Sequence, residues 1–510
     1  MDGDRMLSFG METRRINDIV TRGAKTRISD KEFLKKEILK WLRSPKRRMQ
    51  LNGVLYYDYE QEILKKKRMV LGEGGQLRED PRLPNTKIID NQYAKMVDQK
   101  VNYLLANPIT INSENKKYIQ ALKQVLNKSF NRLLKNLGKD SYNCGIGWLY
   151  PYYDENGEFK IKKFMPYEVL PFWKDDDHTE LDFAARVYDV EDYEGVNEKT
   201  VTHVEVYDTN GIHKFILNGE ALTPDYSTYY FENDEEGYNW DKVPLIPFKA
   251  NNKESSLLKQ CKSLQDALNE IMSMFVDGLK ENLSGSSILI IKNYDGEDLG
   301  TFRHNLMTYK AVKVNTIDGA DGGIDALKIE VDSNNYEVIV KELRKAIIQN
   351  CRGFNAEELK SSGSPNEMTI KSIYSDIDLD ANEIETEYQA AFEQLLWFIN
   401  FHLQNSKKGN FENEDVEIIF NRNMVVNETE LIANVNASAT LLSKKTCISH
   451  HPYVIDVEKE LKQIDKEKNE SMDSFGNAFF NAPKAGNDLS GDNKTLSGND
   501  KTLRGDADEK

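Results

Sequence analysis

The chain has 510 residues, 39% of them hydrophobic and 30% charged, and a formal net charge of −16. That length accommodates about two to four domains with sizeable cores, and no stretch has the apolar length that a bilayer crossing needs. The acidic balance argues against a surface that grips nucleic acid everywhere, and leaves open one that lets nucleic acid pass without sticking. The opening MDGDRMLSFGMETRR has no apolar run of the secretory-leader kind, so export is not expected. Cys144, Cys261, Cys351 and Cys447 are far apart with no C-x-x-C, which fits reduced structural thiols better than a disulfide framework.

In chain order, Ser29-Asp30-Lys31-Glu32 starts an amphipathic helix carrying Phe33, Leu34, Ile38 and Trp41, ended by Ser44-Pro45. A second helical segment holds Tyr56, Tyr57 and Tyr59 between two basic clusters, Lys46-Arg47-Arg48 and Lys65-Lys66-Lys67-Arg68. Those clusters either meet phosphates or form a solvated face balanced by acids elsewhere. After the break at Pro81 to Pro84, Ile88, Tyr93, Met96, Val97, Val101 and Leu104 give a helical period that ends at Asn107-Pro108. Leu122, Val125, Phe130, Leu133 and Leu137 predict one further helix, stopping at Gly138.

From Tyr142 to about Phe248 the period is two. Trp148–Tyr150, Phe159–Ile161, Ala184–Tyr188 and His203–Tyr207 are expected strands, with hairpin turns at Asn156-Gly157, Asn210-Gly211 and Asn218-Gly219. This region is an antiparallel sheet of α+β type, closed by the prolines of Val243-Pro244-Leu245-Ile246-Pro247-Phe248.

The stretch from about Ser255 to Leu403 organises the rest. Leu257, Cys261, Leu264, Leu268, Ile271, Phe275, Leu279 and Leu283 form one helical stripe, on a helix roughly 45 Å long. Ser287–Ile291, Ala311–Val314 and Leu327–Val331 predict three short strands, with a glycine-rich turn at Gly319 to Gly323. Tyr336, Ile339, Leu343 and Ile347 mark a second helix, followed by the loop CRGFNAEELKSSGS. Ser364-Pro365-Asn366-Glu367 then combines an N-cap, a proline at the first helical position and a capping-box glutamate. The helix it opens could reach Leu403, on the order of 60 Å. A strand at Val416–Phe420 and helices at about 427–443 and 452–470 follow. From Ser471 hydrophobicity collapses into the repeats LSGDNKT and LSGNDKT, which predict a disordered tail.

No phosphate loop, nucleophile elbow or H-E-x-x-H is present. His450-His451 are adjacent, so they do not share a helix face, and Asp175-Asp176-Asp177-His178 is expected to be a solvated turn. Asp376, Asp378, Asp380 and Glu387 occupy positions 1, 3, 5 and 12 of a calcium loop, but Ala381 stands where that loop needs glycine. The apolar stripe Ile373, Ile377, Ile384 and Tyr388 runs through them, so an acidic helix face is the expected reading and no metal or cofactor is assigned.

The segments IIDNQYAKMVDQKVNYLLANPITI, VPLIPFKANN and MTIKSIYSDIDLDANEIETEYQAAFEQLLWFI resemble the portal proteins of tailed bacteriophages, of the type found in long-tailed phages of Gram-positive bacteria. The resemblance runs from roughly residue 30 to 470. It implies a mainly helical α+β portal architecture and a ring of identical subunits, commonly twelve, at a capsid vertex, whose channel carries double-stranded DNA during packaging and ejection. It also implies a virion component assembled in the host bacterial cytoplasm, with no catalytic activity. The parts it implies are an N-terminal flexible arm at 1–24, a wing at 25–254, stem helices at 255–284 and 333–350, and a β-rich clip at 285–332. A tunnel loop at 351–365, a long wing helix at 366–404, a crown at 405–470 and a tail at 471–510 complete it. Implied partners are further copies of the chain, the terminase large subunit, scaffolding protein, the major capsid protein and head-completion or adaptor proteins. Lys341, Arg344, Lys345, Arg352 and Lys360 are the candidates to face DNA. Asn355, Glu357, Glu358, Ser361, Ser362, Gly363 and Ser364 belong to the candidate tunnel loop. Two other classes compete: a Mg²⁺-dependent DNA-processing enzyme using Asp376 to Glu387, and a non-portal coiled-coil scaffold or adaptor.

Overall fold

The computed structural model describes residues 16, 31–71, 75–81, 83–194, 197–233, 236–283, 288–292, 298, 301, 323–327, 333–355, 367–422, 428–454 and 457–480. It is α+β and mainly helical, in two compact units, Met1–Val425 and Val426–Lys510.

Helix α1 (Lys31–Leu42) buries the predicted stripe Phe33, Leu34, Ile38 and Trp41. Helix α2 (Pro45–Tyr57) follows at once, with Ser44 as N-cap accepting from the Arg47 amide and Pro45 in the first turn. A small hairpin, β1 (Met69–Leu71) with β2 (Leu77–Glu79), precedes α3 (Gln92–Leu105), whose N-cap Asn91 accepts from the Ala94 amide at 3.0 Å. Strand β3 (Thr110–Asn112) leads to α4 (Lys116–Val125) and α5 (Lys128–Cys144). The sequence predicted one helix here, ending at Gly138. Instead Asn127 interrupts it, its side chain accepting from the Ser129 and Phe130 amides as a new N-cap. Helix α5 runs past Gly138, where Leu105 packs so closely that a Cβ would lie 2.6 Å from its methyl. It ends at Gly145, whose φ of 87° only glycine adopts without strain.

Strands β4 (Ile146–Tyr153) and β5 (Phe159–Phe164) form the predicted hairpin; β6 (Val169–Trp173), β7 (Leu181–Glu194), β8 (Asn197–Asp208), β9 (Gly211–Asn218) and β10 (Ala221–Thr228) form an antiparallel five-stranded meander. Phe183, Ala185, Val187, Val204, Val206, Phe215 and Leu217 alternate onto one face, which α1 covers. A short hairpin, β11 (Phe231–Asn233) with β12 (Glu236–Tyr238), precedes β13 (Ile246–Lys249), which joins β4 and β5 in the order β13-β4-β5. Pro247 is tolerated because β13 is an edge strand.

Helix α6 (Leu258–Leu283) and helix α7 (Ser333–Asn350) are the expected pair, in contact where Phe275 stacks on Tyr336 at 3.8 Å. Between them β14 (Ile288–Lys292) pairs antiparallel with β15 (Gly323–Leu327). The last strand was expected at Leu327–Val331. The register observed sets Ile288 against Leu327 and Ile291 against Ile324, two apolar cross-strand pairs. The strand expected at 311–314 lies outside the described residues.

Helix α8 (Glu367–Asn405) is about 58 Å long. It lays Ile377, Ile384, Tyr388, Leu395 and Ile399 into the main core beside α3, α5, β4, β13 and α6, each contributing ~1.5–3 kcal/mol by burial. Strand β16 (Glu417–Ile419) pairs with β3, so the start of the expected crown belongs to the first unit. The second unit holds α9 (Glu428–Ser438), α10 (Lys444–Ser449) and α11 (Val457–Phe480). The first of the two expected helices stops at Ser438, short of Ser443, which instead caps an additional helix by accepting from the Thr446 amide. Helix α11 extends to Phe480, ten residues into the predicted tail; residues 481–510 lie outside the described residues.

Candidate functional site

The α6–α7 pair is tied to the rest of the first unit by polar groups rather than by apolar contact alone. Gln265, Asn269, Ser273 and Asp277 recur every four residues along α6 and are buried. Their side-chain oxygens accept from the amides of Tyr93 at 3.1 Å, Asp90 at 3.0 Å, Ile88 at 3.0 Å and Thr86 at 2.8 Å. Alternate amides of an extended chain are about 6.6 Å apart and four helical residues rise about 6.0 Å, so a strap at 86–90 and one helix face stay in step. The sequence signal was the Q-x₃-N-x₃-S-x₃-D spacing beside the apolar stripe, which the sequence reading passed over.

The cations proposed to face DNA are mostly engaged within the chain. Lys341 pairs with Glu337 at 2.6 Å on α7, and Arg344 reaches Asp90 of the strap at 2.8 Å. Arg352, in the left-handed region with φ of 49°, lies 3.6 Å from Glu383. Lys345 is exposed, with no ion pair among the described residues. Lys360 lies outside the described residues, as do Glu357, Glu358, Ser361, Ser362, Gly363 and Ser364. What is described is the entry to that loop, up to Asn355. Gln99 clamps it, donating to the Phe354 carbonyl at 2.7 Å and accepting from the Phe354 amide at 2.8 Å. The Phe354 ring stacks on Tyr374 of α8 at 4.6 Å.

The acids of α8 are not a uniform solvated face. Asp376 is exposed, but Asp378 accepts from Tyr103 and from Arg422 Nη1 at 2.8 Å. Asp380 meets Lys100 Nζ at 2.8 Å and accepts from the Tyr142 hydroxyl at 2.7 Å. The Lys100 side chain is 0% exposed; burial lowers its pKa, and Asp380 opposes that shift. Lys100 also donates to the Arg352 carbonyl at 3.3 Å, which ties α3 and α8 to the loop entry. Glu387 lines a different cleft, with Asp177 and Lys253. Asp376, Asp380 and Glu387 fall within about 40° of one another around the helix axis, but Glu387 stands about 10 Å further along it than Asp380, and Asp378 projects to the other side. No group of His, Cys, Asp and Glu among the described residues is arranged to hold a metal ion.

At the root of α6, Glu254 is buried at 2% exposure and contacts Lys46 at 2.5 Å and His178 Nδ1 at 2.6 Å. Burial alone would raise its carboxyl; the bond from His178 and the charge of Lys46 outweigh that and bring it to about 2. Glu254 and His178 both sit at positive φ, 50° and 56°, and the His178 ring stacks on Trp173 at 4.7 Å. The turn 175–178 is therefore not simply solvated. Asp175 accepts the Thr179 and Glu180 amides at 2.8 and 2.7 Å, and so aims His178 inward. The two basic clusters, read as phosphate contacts or as a solvated face balanced by acids, are largely internal ties. Besides Lys46, Arg47 donates to the Tyr167 carbonyl at 2.9 Å, Lys66 pairs with Glu270 at 3.0 Å and Lys67 with Glu79 at 2.9 Å.

Residues 45–474 match the family described as phage portal protein, SPP1 Gp6-like. The portal protein of Bacillus phage SPP1 is 28% identical over 438 residues, covering 84% of this chain and 85% of that protein. The portal protein of Clostridium phage phiCD119 is 27% identical over 432 residues, covering 82% and 92%. A solved structure titled "Neck of native GTA particle computed with C12 symmetry" aligns with 79% of this chain and 98% of its own, at TM-score 0.39 and 13% identity. With a strapped helical hairpin, a β tip and a long core helix lying inside the matched span, this chain belongs to the phage portal protein family.

Proposed function

We propose that the chain assembles into a ring, of twelve copies as the family resemblance implies, whose axial channel passes double-stranded DNA into a capsid and out again. Portal proteins belong to the virion, and this one would stand at the capsid vertex after assembly in the host bacterial cytoplasm. One observation carries the reading. The two stem helices leave Met274 (52% exposed), Leu279 (40%), Val338 (59%) and Ile339 (44%) uncovered, although the strap hydrogen-bonds along α6. A neighbouring stem would cover them.

On this reading the wing is 25–254 with the long helix 366–404, the stem is 255–284 and 333–350, and the clip is 285–332. The tunnel loop is 351–365, and the crown is 405–470. The clip docks the terminase large subunit, then head-completion proteins; scaffolding and major capsid protein meet the outer faces. Lys345 is the best placed of the proposed channel cations. The nuclease alternative would need Asp376, Asp378, Asp380 and Glu387 together, and the helix sets them apart. No catalytic role is proposed.

Negative-stain imaging should show closed rings with a central hole, and deletion of Ser361–Ser364 should leave rings intact while lowering packaged DNA. A dimer or trimer in solution sinks the ring, and normal packaging by the deletion removes the loop's role.

A further inference from the structure

The fold leaves two oppositely charged surfaces of the first unit without partners. From Lys116 to Gly138 the sequence has no acid and six cations: Lys116, Lys117, Lys123, Lys128, Arg132 and Lys135. None of the six forms an ion pair with a described residue. In a chain of 84 acids and 68 Lys and Arg, a cationic face of this kind is a local reversal of sign. It borders a cleft of about 680 Å³ between the start of α5 and the β4–β5 hairpin, where Arg132, His402 and Lys408 come together. The acid in that lining, Glu158, is already held by Lys160 at 2.5 Å.

The second surface is a groove of about 510 Å³ floored by Tyr118, Trp397 and Phe401. Asp241, Glu393, Glu412, Glu414 and Asp415 rim it, and no cation is part of its lining. Glu414 accepts from Asn115 at 2.8 Å; the other four carboxylates meet no cation among the described residues. Lys242 already stands over the Trp397 ring at 5.0 Å, so this floor takes a positive charge on its aromatic face.

The two surfaces lie back to back. Glu393, Trp397, Asn400 and Gln404 line the groove from one side of α8, whereas His402 lines the cleft. At about 100° per residue, His402 projects about 180° away from Glu393. A surface and its complement on opposite sides of one element is the arrangement of a heterologous contact, in which every copy offers one of each.

We infer that the acidic aromatic groove receives the α4–α5 cationic face of a second copy of this chain, head to tail. A phosphate backbone on the cations would face carboxylates just across α8, whereas a second copy supplies both charges at once. The inference rests on the ring reading and adds which faces meet.

The test is charge exchange in the full-length protein, followed by mass photometry over a concentration series. Lys123→Glu, Lys128→Glu, Arg132→Glu and Lys135→Glu form one variant; Asp241→Lys, Glu393→Lys, Glu412→Lys and Asp415→Lys form the other. Each alone should raise the concentration for half-assembly by more than tenfold, with a folded circular dichroism spectrum. Mixing the two, or combining all eight changes in one chain, should restore assembly, a result that misfolded variants could not produce. Wild-type rings with variants that assemble equally well, or a mixture that stays dissociated, overturn the inference and leave the ring standing. A wild-type chain that forms no ring removes the ring reading itself.

Discussion

Glu254 is a carboxylate that burial should discharge and that its neighbours keep ionised. Lys46 and His178 come from the start of α2 and from the β6–β7 turn, so the ion pair binds three segments at the root of α6. Its pKa falls from the ordinary 4.5 to about 2, a difference of ~3 kcal/mol in favour of the folded state. Because the folded value is the lower one, that stabilisation is complete above about pH 4.5 and disappears as pH falls towards 2. Glu254→Gln should therefore lower the unfolding free energy by ~3 kcal/mol at pH 7. Urea unfolding at a series of pH values should show the gap closing in acid; a gap independent of pH would mean that packing, not charge, is what the mutation removes. Lys100 and Asp380 repeat the pattern deeper in the core, where acids that looked like a helix surface in the sequence neutralise a buried lysine.

Among elements, the α6 strap has the clearest physical consequence. The amides of Thr86, Ile88 and Asp90 have side-chain rather than backbone acceptors, so their protection from exchange depends on α6 side chains. Ser273→Ala with Asn269→Leu should speed hydrogen exchange at 86–90 by at least tenfold, while α6 itself stays protected. Unchanged exchange there would show that packing alone holds the strap. Some helix limits followed the sequence: Ser44-Pro45, read as the end of α1, also caps α2, and the helix expected near 333–350 is α7; Gly138, read as a stop, lies inside α5. Others departed from it where a polar residue interrupted an apolar stripe, as Asn127 does between α4 and α5, and where an additional helix, α10, follows the end expected at Ser443. An apolar stripe reports which face is buried, not whether the backbone continues.

At the scale of the whole molecule, a chain of −16 would repeat its negative charge with every copy of the proposed ring. The purified assembly should retain linear duplex DNA more weakly than the ~10⁻⁴ M of ordinary non-specific binding at physiological salt. Filter binding against salt concentration measures this. Tight, steeply salt-dependent retention would contradict a channel built for passage. The proposed channel cations illustrate the same economy of positive charge, since Lys341, Arg344 and Arg352 each have an acid within the chain.

The sequence by itself determined the α+β class, the α6–α7 helix pair, the long helix opened near Glu367, the hairpins with Asn-Gly turns and the portal family. Each of these rests on local periodicity, caps and turn residues, or on wording preserved over most of the chain. Only the tertiary structure decided which charges are engaged. Lys46 and Glu254, Lys100 and Asp380, and Arg344 and Asp90 are far apart in sequence, and each lone residue reads the same whether it faces a partner or water. The unpaired face at Lys116–Lys135 and the acidic groove across α8 became visible by subtraction, once the paired charges were known. Periodicity is a property of neighbours along the chain, whereas charge compensation is a property of neighbours in space.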